Sequence, residues 1–462
     1  MSNHINMPDH SSPSQRERLG EGEVGNIPAI ATAPSPCLSP VGGEGKTHLA
    51  TIEAGLAARH RKTRRLKQYG IAALLFASAM LLWLMASIIA PGLSGFMRHE
   101  VTLYATMQDV QGKTPQEEVN YYSALHRAFD RAVNTEGTTK RERYVLLGDF
   151  AAFASEHAWK KQWQALEGTD KTQPEPFSYN VPLADAADQY LKSHGTRAGA
   201  LSEKQKIMLE ELKDAGVIEY RINRDFFTSG DSRAPESAGF LGSIVGSLLL
   251  VIVAMAIALP VGVMGAIYLE EFAPKNVLSD IIEVSINNLA AVPSIIFGLL
   301  GLTLYLIWFD LPRSSALVGG LTIALMVLPT IIITTRASLK AVPPSVRHAA
   351  IALGAAPTQV VRHHVLPYAL PGIMTGTILG VARALGETAP LLMIGMVAFV
   401  ADIPRGFLDP ATAMPVSIYI WASSPELGFI EKTASGILVL LLILMALNAA
   451  AIYIRNRFEL RW

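Results

Sequence analysis

Cysteine is almost missing from this chain: the single one, Cys37, stands in a Pro/Ser-rich stretch. One thiol closes no intrachain disulfide and builds no thiolate metal centre, which excludes a disulfide-stapled scaffold. Charge is scarce too. Asp, Glu, Lys and Arg make up 17% of the 462 residues, against about a quarter in a soluble domain. Lys+Arg and Asp+Glu balance at 39 each, so no net positive field points to a nucleic acid. No repeat of about 20–50 residues marks a solenoid or propeller. The pattern G-x-x-x-x-G-K-[ST] does not occur, so the chain has no ATP-binding loop of that type. In the polar stretch from about Ser94 to Pro235, His and carboxylates are scattered without a catalytic constellation, and no metal or cofactor is expected. No apolar signal-peptide core precedes the first long apolar run, so that run is expected to be an uncleaved anchor.

What the chain does have is long apolar segments. Residues 1–68 read as a disordered cytoplasmic tail, rich in Ser, Pro, Gly and Glu and without apolar periodicity over its first 58 residues. A basic cluster follows at Arg59, His60, Arg61, Lys62, Arg64, Arg65 and Lys67. It abuts a first span within residues 69–93, long enough to cross a hydrocarbon core of about 30 Å as a helix. Residues 94–236 form a polar insertion with helical signals. Ser202 with Gln205 reads as a capping box, Gly216 as a helix stop, Pro115 as the start of a helix to Val133, and Val217–Phe227 as more strand-like. Five more spans are predicted over Phe240–Leu269, Ile282–Trp308, Ala316–Thr334, Leu370–Val400 and Thr433–Ile454. Only helices and closed barrels satisfy backbone groups in lipid, and these runs lack a strand period. The fold class is therefore an all-α integral membrane protein of six transmembrane helices, with a mainly helical insertion between helices 1 and 2.

Loop charges orient the spans. Lys275, the segment Arg336–Leu366 with Arg336, Lys340, Arg347 and Arg362, and the tail Arg455-Asn456-Arg457 fall on one side, with the basic cluster. Asp310–Ser314 and Ala401–Lys432, short or less basic, fall on the other. The positive-inside rule then places both termini in the cytoplasm and residues 94–236 in the periplasm. Gly242 and Gly246, with Ser243 and Ser247 beside them, form a small-residue face suited to close helix packing.

Two polar features stand out against the apolar background. Arg383 and Glu387, four apart on one helix face, flank the middle of the fifth predicted span. A lone charge there costs ~2.5–3.5 kcal/mol on insertion scales. The pair is either a structural ion pair or a switch in which Arg383 exchanges Glu387 for an incoming oxyanion, which its planar fork suits. Pro390 deprives the Gly386 carbonyl of its helical donor and, with Gly386 and Thr388, predicts a broken turn. Broken helices near midplane serve transporter sites. Asn287 and Asn288 in the third predicted span either add donors to that path or pack between helices.

The second feature is the polar segment 336–367. Ser345 is a candidate N-cap, Gly354 a sharp stop, Pro357 a second start and Pro367 its end. This gives either a helical hairpin standing off the membrane or an amphipathic loop on the lipid surface.

His348-Ala349-Ala350, then Gly354, then Leu366-Pro367 resembles the EAA loop of ABC-importer permeases in its spacing, with His348 where Glu is usual and His364 where Ile is usual. ALPVGVMGAIYLEEFAP (Ala258–Pro274), AAVPSIIFGLLGL (Ala290–Leu302) and RALGETAPLLMIG (Arg383–Gly395) resemble the PstA family of phosphate ABC-transporter permeases. The resemblance runs from about Phe240 to the C-terminus. It implies a type I importer core over residues 237–462 in a bacterial inner membrane, with the N-terminal half as an extension. It also implies a sister permease subunit, an ATP-binding subunit dimer and a periplasmic phosphate-binding protein. Phosphate is then the substrate, ATP is hydrolysed by another chain, and residues 336–367 dock on that chain. In this reading Arg383 contacts the anion, Thr388 adds a hydroxyl donor, and Glu387 neutralises Arg383 between cycles. Two alternatives are a permease for another oxyanion, such as sulfate or molybdate, and a membrane-anchored sensor or scaffold.

Overall fold

The structure, a computed structural model, describes residues 44–105, 177–193, 195, 201–396 and 399–458. Cys37, the start of the predicted tail and the helix predicted over Pro115–Val133 lie outside the described residues. Two compact units divide the chain, Met1–Ser78 and Ala79–Trp462.

In the first unit the chain is helical from Glu44, where α1 (Glu44–Gly95) begins. The disorder predicted up to residue 68 therefore gives way to helix from Glu44 on. The segment TIEAGLAARHRKTRRLKQ is dense in Ala, Leu, Glu, Lys and Arg, the strongest helix formers, and holds no Pro. Lys62, Arg64, Arg65 and Lys67 are exposed.

In the second unit α1 leads into a three-stranded antiparallel sheet. Strands β1 (Met97–Ala105), β2 (Phe177–Pro182) and β3 (Ile218–Ile222) pair in the order β2-β1-β3. Val101 sits opposite both Val181 and Ile218. The strand-like mix predicted at Val217–Phe227 is β3, followed by the short helix α4 described next; the sheet's other two strands were not predicted. Helices α2 (Asp185–Lys192), α3 (Glu203–Asp214) and α4 (Asp225–Thr228) complete the described insertion. Ser202 caps α3 in a full capping box with Gln205, and Gly216, at φ +73°, takes the left-handed turn after it.

The insertion is bolted to the membrane helices by buried charge. His99 Nδ1 lies 2.8 Å from Asp188, Asp188 lies 2.8 Å from Lys192, and Lys192 lies 2.8 Å from Glu431. Ser94 at the end of α1 donates to the same Glu431 at 3.1 Å. Burial pulls the Asp188 carboxyl up, but the His99 hydrogen bond and the Lys192 charge outweigh it and hold it low. Burial likewise pulls the Lys192 amine down, but Asp188 and Glu431 raise it. A group held low contributes stability above its unfolded value, for Asp about 3.9, and one held high contributes below its own, for Lys about 10.4. This contribution is therefore flat across neutral pH and fades as pH falls through the acid range. Lys192→Met leaves two carboxylates buried without their cation, an expected loss of about 3–5 kcal/mol. A lower melting midpoint of the detergent-solubilised protein at pH 7 checks it.

The apolar part follows as α5 (Leu241–Ile267, continued by a π turn to Phe272), α6 (Val277–Ala290), α7 (Ser294–Gly301, continued by a π turn to Trp308) and α8 (Ala316–Lys340). Then come α9 (Pro344–Ala352), α10 (Pro357–Val360, continued by a π turn to Val365), α11 (Leu366–Gly386), α12 (Ala389–Met393), α13 (Met414–Ala422) and α14 (Leu427–Phe458). Among the described residues five helices are long and apolar enough to cross a membrane, or six if the bent pair α6/α7 counts as one.

Three departures from the predicted spans matter. The span expected over Ile282–Trp308 is bent by 100° between α6 and α7, because Pro293 disfavours helical backbone in the residue before it. The span expected over Leu370–Val400 ends at Gly386. The outer loop expected over Ala401–Lys432 folds back into the protein: residues 411–417 are all buried and open α13. The small face of α5 packs there. Ser243 and Ser417 share a hydrogen bond at 2.6 Å, and the amide of Met414 donates to Ser247 at 2.8 Å. A Cβ on Gly246 would overlap the carbonyl oxygen of Thr412. Trp421 closes this core against Phe240, 5.3 Å between ring centroids, and donates to Asp231 at 3.0 Å.

Candidate transport site and coupling hairpin

The helix that carries Arg383 stops three residues after it. Pro390 has no N–H to continue the ladder, so α11 ends at Gly386 and Glu387 turns outward with φ −81° and ψ 127°. Thr388 then leads into α12 and accepts from the amide of Leu392 at 3.1 Å. Gly386 is exposed with open space at its Cα, whereas Pro390 is buried. A Cβ on Gly298 of α7 would sit 2.7 Å from the Cα of Pro390. The glycine thus lets α7 press against α12, just past the break after α11.

Arg383 Nε and Glu387 Oε1 are 3.4 Å apart, with side-chain exposures of 36% and 22%. The contact is long and single-pronged. Among the described residues it is the only hydrogen bond of the Arg383 guanidinium to the chain, and it uses Nε alone. An ion pair this open contributes at most about 1 kcal/mol. An oxyanion gripped by two charge-assisted bonds gains about 1.5–3 kcal/mol from each. Asn287 and Asn288 sit exposed on the last turn of α6 and, among the described residues, make no hydrogen bond to Arg383 or Glu387. The structure brings Arg383, Glu387 and Thr388 together at one helix break and leaves the two asparagines apart from that group.

The segment between α8 and α11 is a helical hairpin with two faces. Ala350, Val360 and Val365 pack with Leu339, Val342, Ala369 and Ile373 in a small separate core. His348, Ala349 and Gly354 are exposed on the other side. Leu353 is 89% exposed at the turn and Ile351 56%. Gly354, at φ +86°, makes that turn, donating to the Ile351 carbonyl at 2.9 Å. Two predictions are corrected. Pro343, not Ser345, holds the N-cap position, because Pro344 supplies a pre-set first turn. Pro367 does not end the second helix: it falls in the first turn of α11, just after a π turn where the regular ladder is already loosened. Leu366 and Pro367 are half-buried at that join.

The sequence reading passed over Ile351 and Leu353, whose apolar character is ordinary in a membrane chain. It also passed over Glu270 and Glu271. Two adjacent carboxylates at the end of a span, with arginines beyond the next two spans, were the available signal.

Comparison with known proteins follows the same lines. Residues 258–462 match the family described as binding-protein-dependent transport system inner membrane component. Residues 53–200 match a domain of unknown function, DUF3333. The phosphate transport system permease protein PstA of Yersinia pestis is 34% identical over 215 residues, covering 46% of this chain and 71% of that protein. PstA of Haemophilus influenzae is 32% identical over 227 residues, covering 49% and 79%. A chain of the MetNI methionine ABC transporter in an inward-facing conformation covers 48% of this chain and 95% of itself at 17% identity, with a TM-score of 0.37. With its apolar helices, its broken α11 and its hairpin of EAA-like spacing, the chain belongs to the PstA family of phosphate transport system permease proteins, as a membrane-embedded ABC permease subunit.

Proposed function

We propose that this chain forms half of the translocation pathway of an ATP-driven phosphate importer in a bacterial inner membrane, with both termini in the cytoplasm. Residues 237–462 are the permease core, and residues 94–236 form a periplasmic domain. The observation that carries this reading is Arg383 at the break of α11, held among the described residues by one long contact through Nε. Phosphate arriving from a periplasmic binding protein displaces Glu387 and is gripped by the planar guanidinium fork. The Thr388 hydroxyl adds a donor beside it. Glu387 re-pairs with Arg383 when the anion leaves, so no bare cation remains at membrane depth. A sister permease supplies the other wall of the path.

ATP is hydrolysed by a separate subunit dimer. The exposed tip of the hairpin, with His348, Ala349, Ile351 and Leu353, docks into it. His348 in place of the usual Glu makes this contact depend more on apolar burial than on a carboxylate.

Transport by the complex reconstituted in proteoliposomes tests the substrate. Uptake of labelled phosphate is expected to continue under a hundredfold excess of sulfate or molybdate. Equal competition by either anion assigns the site to that oxyanion instead.

A further inference from the structure

We propose that Arg347 and Glu271 are the positioning residues that lock the ATPase-facing hairpin to the transmembrane helices, so that its displacement moves the pathway rather than bending the hairpin. The inference rests on the reading above that the hairpin docks on an ATPase.

One guanidinium ties three elements. Arg347, on α9, reaches Glu271 on the π turn that ends α5, with Nη2 2.7 Å from Oε1 and Nε 3.3 Å from Oε2. Its Nη1 donates to the carbonyl of Val342 at 2.7 Å, and Nη2 also donates to the carbonyl of Leu339 at 2.9 Å. Leu339 is in the last turn of α8, and its carbonyl also accepts from the amide of Val342 at 3.2 Å. The fork of Arg347 therefore adds a second donor to a helix-end carbonyl and grips a carboxylate on another span with the same group. Its side chain is 23% exposed and that of Glu271 11%, so the pair is more enclosed by the chain than Arg383 and Glu387.

A second bracket braces the first. Arg336 of α8 reaches Glu283 on α6 at 2.9 Å and Glu270 on the α5 turn at 3.4 Å. Lys340 lies 3.8 Å from Glu270. The π turn over Tyr268–Phe272 supplies both acids. Adjacent residues there diverge around the helix, so Glu270 faces Arg336 while Glu271 faces Arg347. The ends of α5 and α8, the middle of α6 and the hairpin become one polar-riveted body.

The apolar core under the hairpin already holds it in place, with Ala350 and Val360 among its buried members. Non-directional packing lets a hairpin slide. A four-bonded guanidinium does not, because each bond fixes an angle. Lysine keeps the charge and loses the fork, which separates a coupling role from a merely structural one.

The test uses the complete complex in proteoliposomes, with labelled phosphate uptake and ATP hydrolysis measured together. Arg347→Lys and Glu271→Gln are expected to assemble normally and keep ATP hydrolysis. Phosphate moved per ATP should fall by about two- to thirtyfold, the range of coupling losses along such networks. The double variant should be no worse than either single one, since both remove the same contact. A ratio unchanged from wild type, uptake and hydrolysis falling in proportion, or losses that multiply in the double variant would each overturn the inference. A wild-type complex without ATP-dependent uptake would overturn the underlying functional reading instead.

Discussion

Replacing Arg383 with glutamine is expected to lower high-affinity phosphate uptake by about ten- to a hundredfold while leaving membrane insertion and complex assembly intact. Glutamine keeps a donor but loses the charge that makes each bond to an oxyanion worth about 1.5–3 kcal/mol, and every 1.4 kcal/mol is about tenfold. Stability should change little, because the contact with Glu387 is single, 3.4 Å long and partly exposed. Arg383→Lys is expected to fall between, with charge retained and the two-pronged grip lost. Glu387→Gln should impair release more than capture, since the group that takes the anion's place is gone. Uptake kinetics at several phosphate concentrations separate the three. Unchanged uptake in Arg383→Gln would leave the pair as a helix brace.

Placing a carboxylate at the hairpin tip is expected to detach the ATPase. Leu353 is 89% exposed, so Leu353→Asp costs the folded chain almost nothing. In a docked interface the same change forfeits about 1.5–3 kcal/mol of apolar burial and adds a charge to an apolar contact. The expected result is at least a tenfold loss of ATP-binding subunit recovered with the affinity-purified chain, with the sister permease still present. Gly354→Val should do the same by a different route, because a β-branched residue is strained at φ +86°. If the hairpin instead lies on the lipid surface, Leu353→Asp leaves the subunit ratio unchanged and weakens only membrane contact.

Much of this architecture was readable from the chain because its signals are local. Long apolar runs marked the spans, Pro390 marked the end of α11, and Gly354 marked the hairpin turn. Ser202 and Gln205 announced the start of α3 within four residues. The features that were missed depend on distant partners or on averaging. Thr102 pairs with Asn180 across the sheet, and nothing in either strand names the other. Hydropathy read straight through Ala290–Ser294, although Pro293 stood there to signal the bend. The small and mixed residues 411–417 are too few and too polar for a span and read as a loop; they are buried because α5 offers a face of Gly and Ser on which they fit. Arg383 and Glu387 were legible as a pair since one helix turn separates them. Arg347 and Glu271, 76 positions apart, were not.

The most direct test of the anion contact is a cryo-EM reconstruction of the whole complex trapped with phosphate. The expected result is anion density at charge-assisted hydrogen-bond distance, about 2.7–2.9 Å, from the terminal amines of Arg383, with Glu387 turned away. Arg383 facing lipid, or still closed on Glu387 while phosphate occupies another part of the channel, would contradict it.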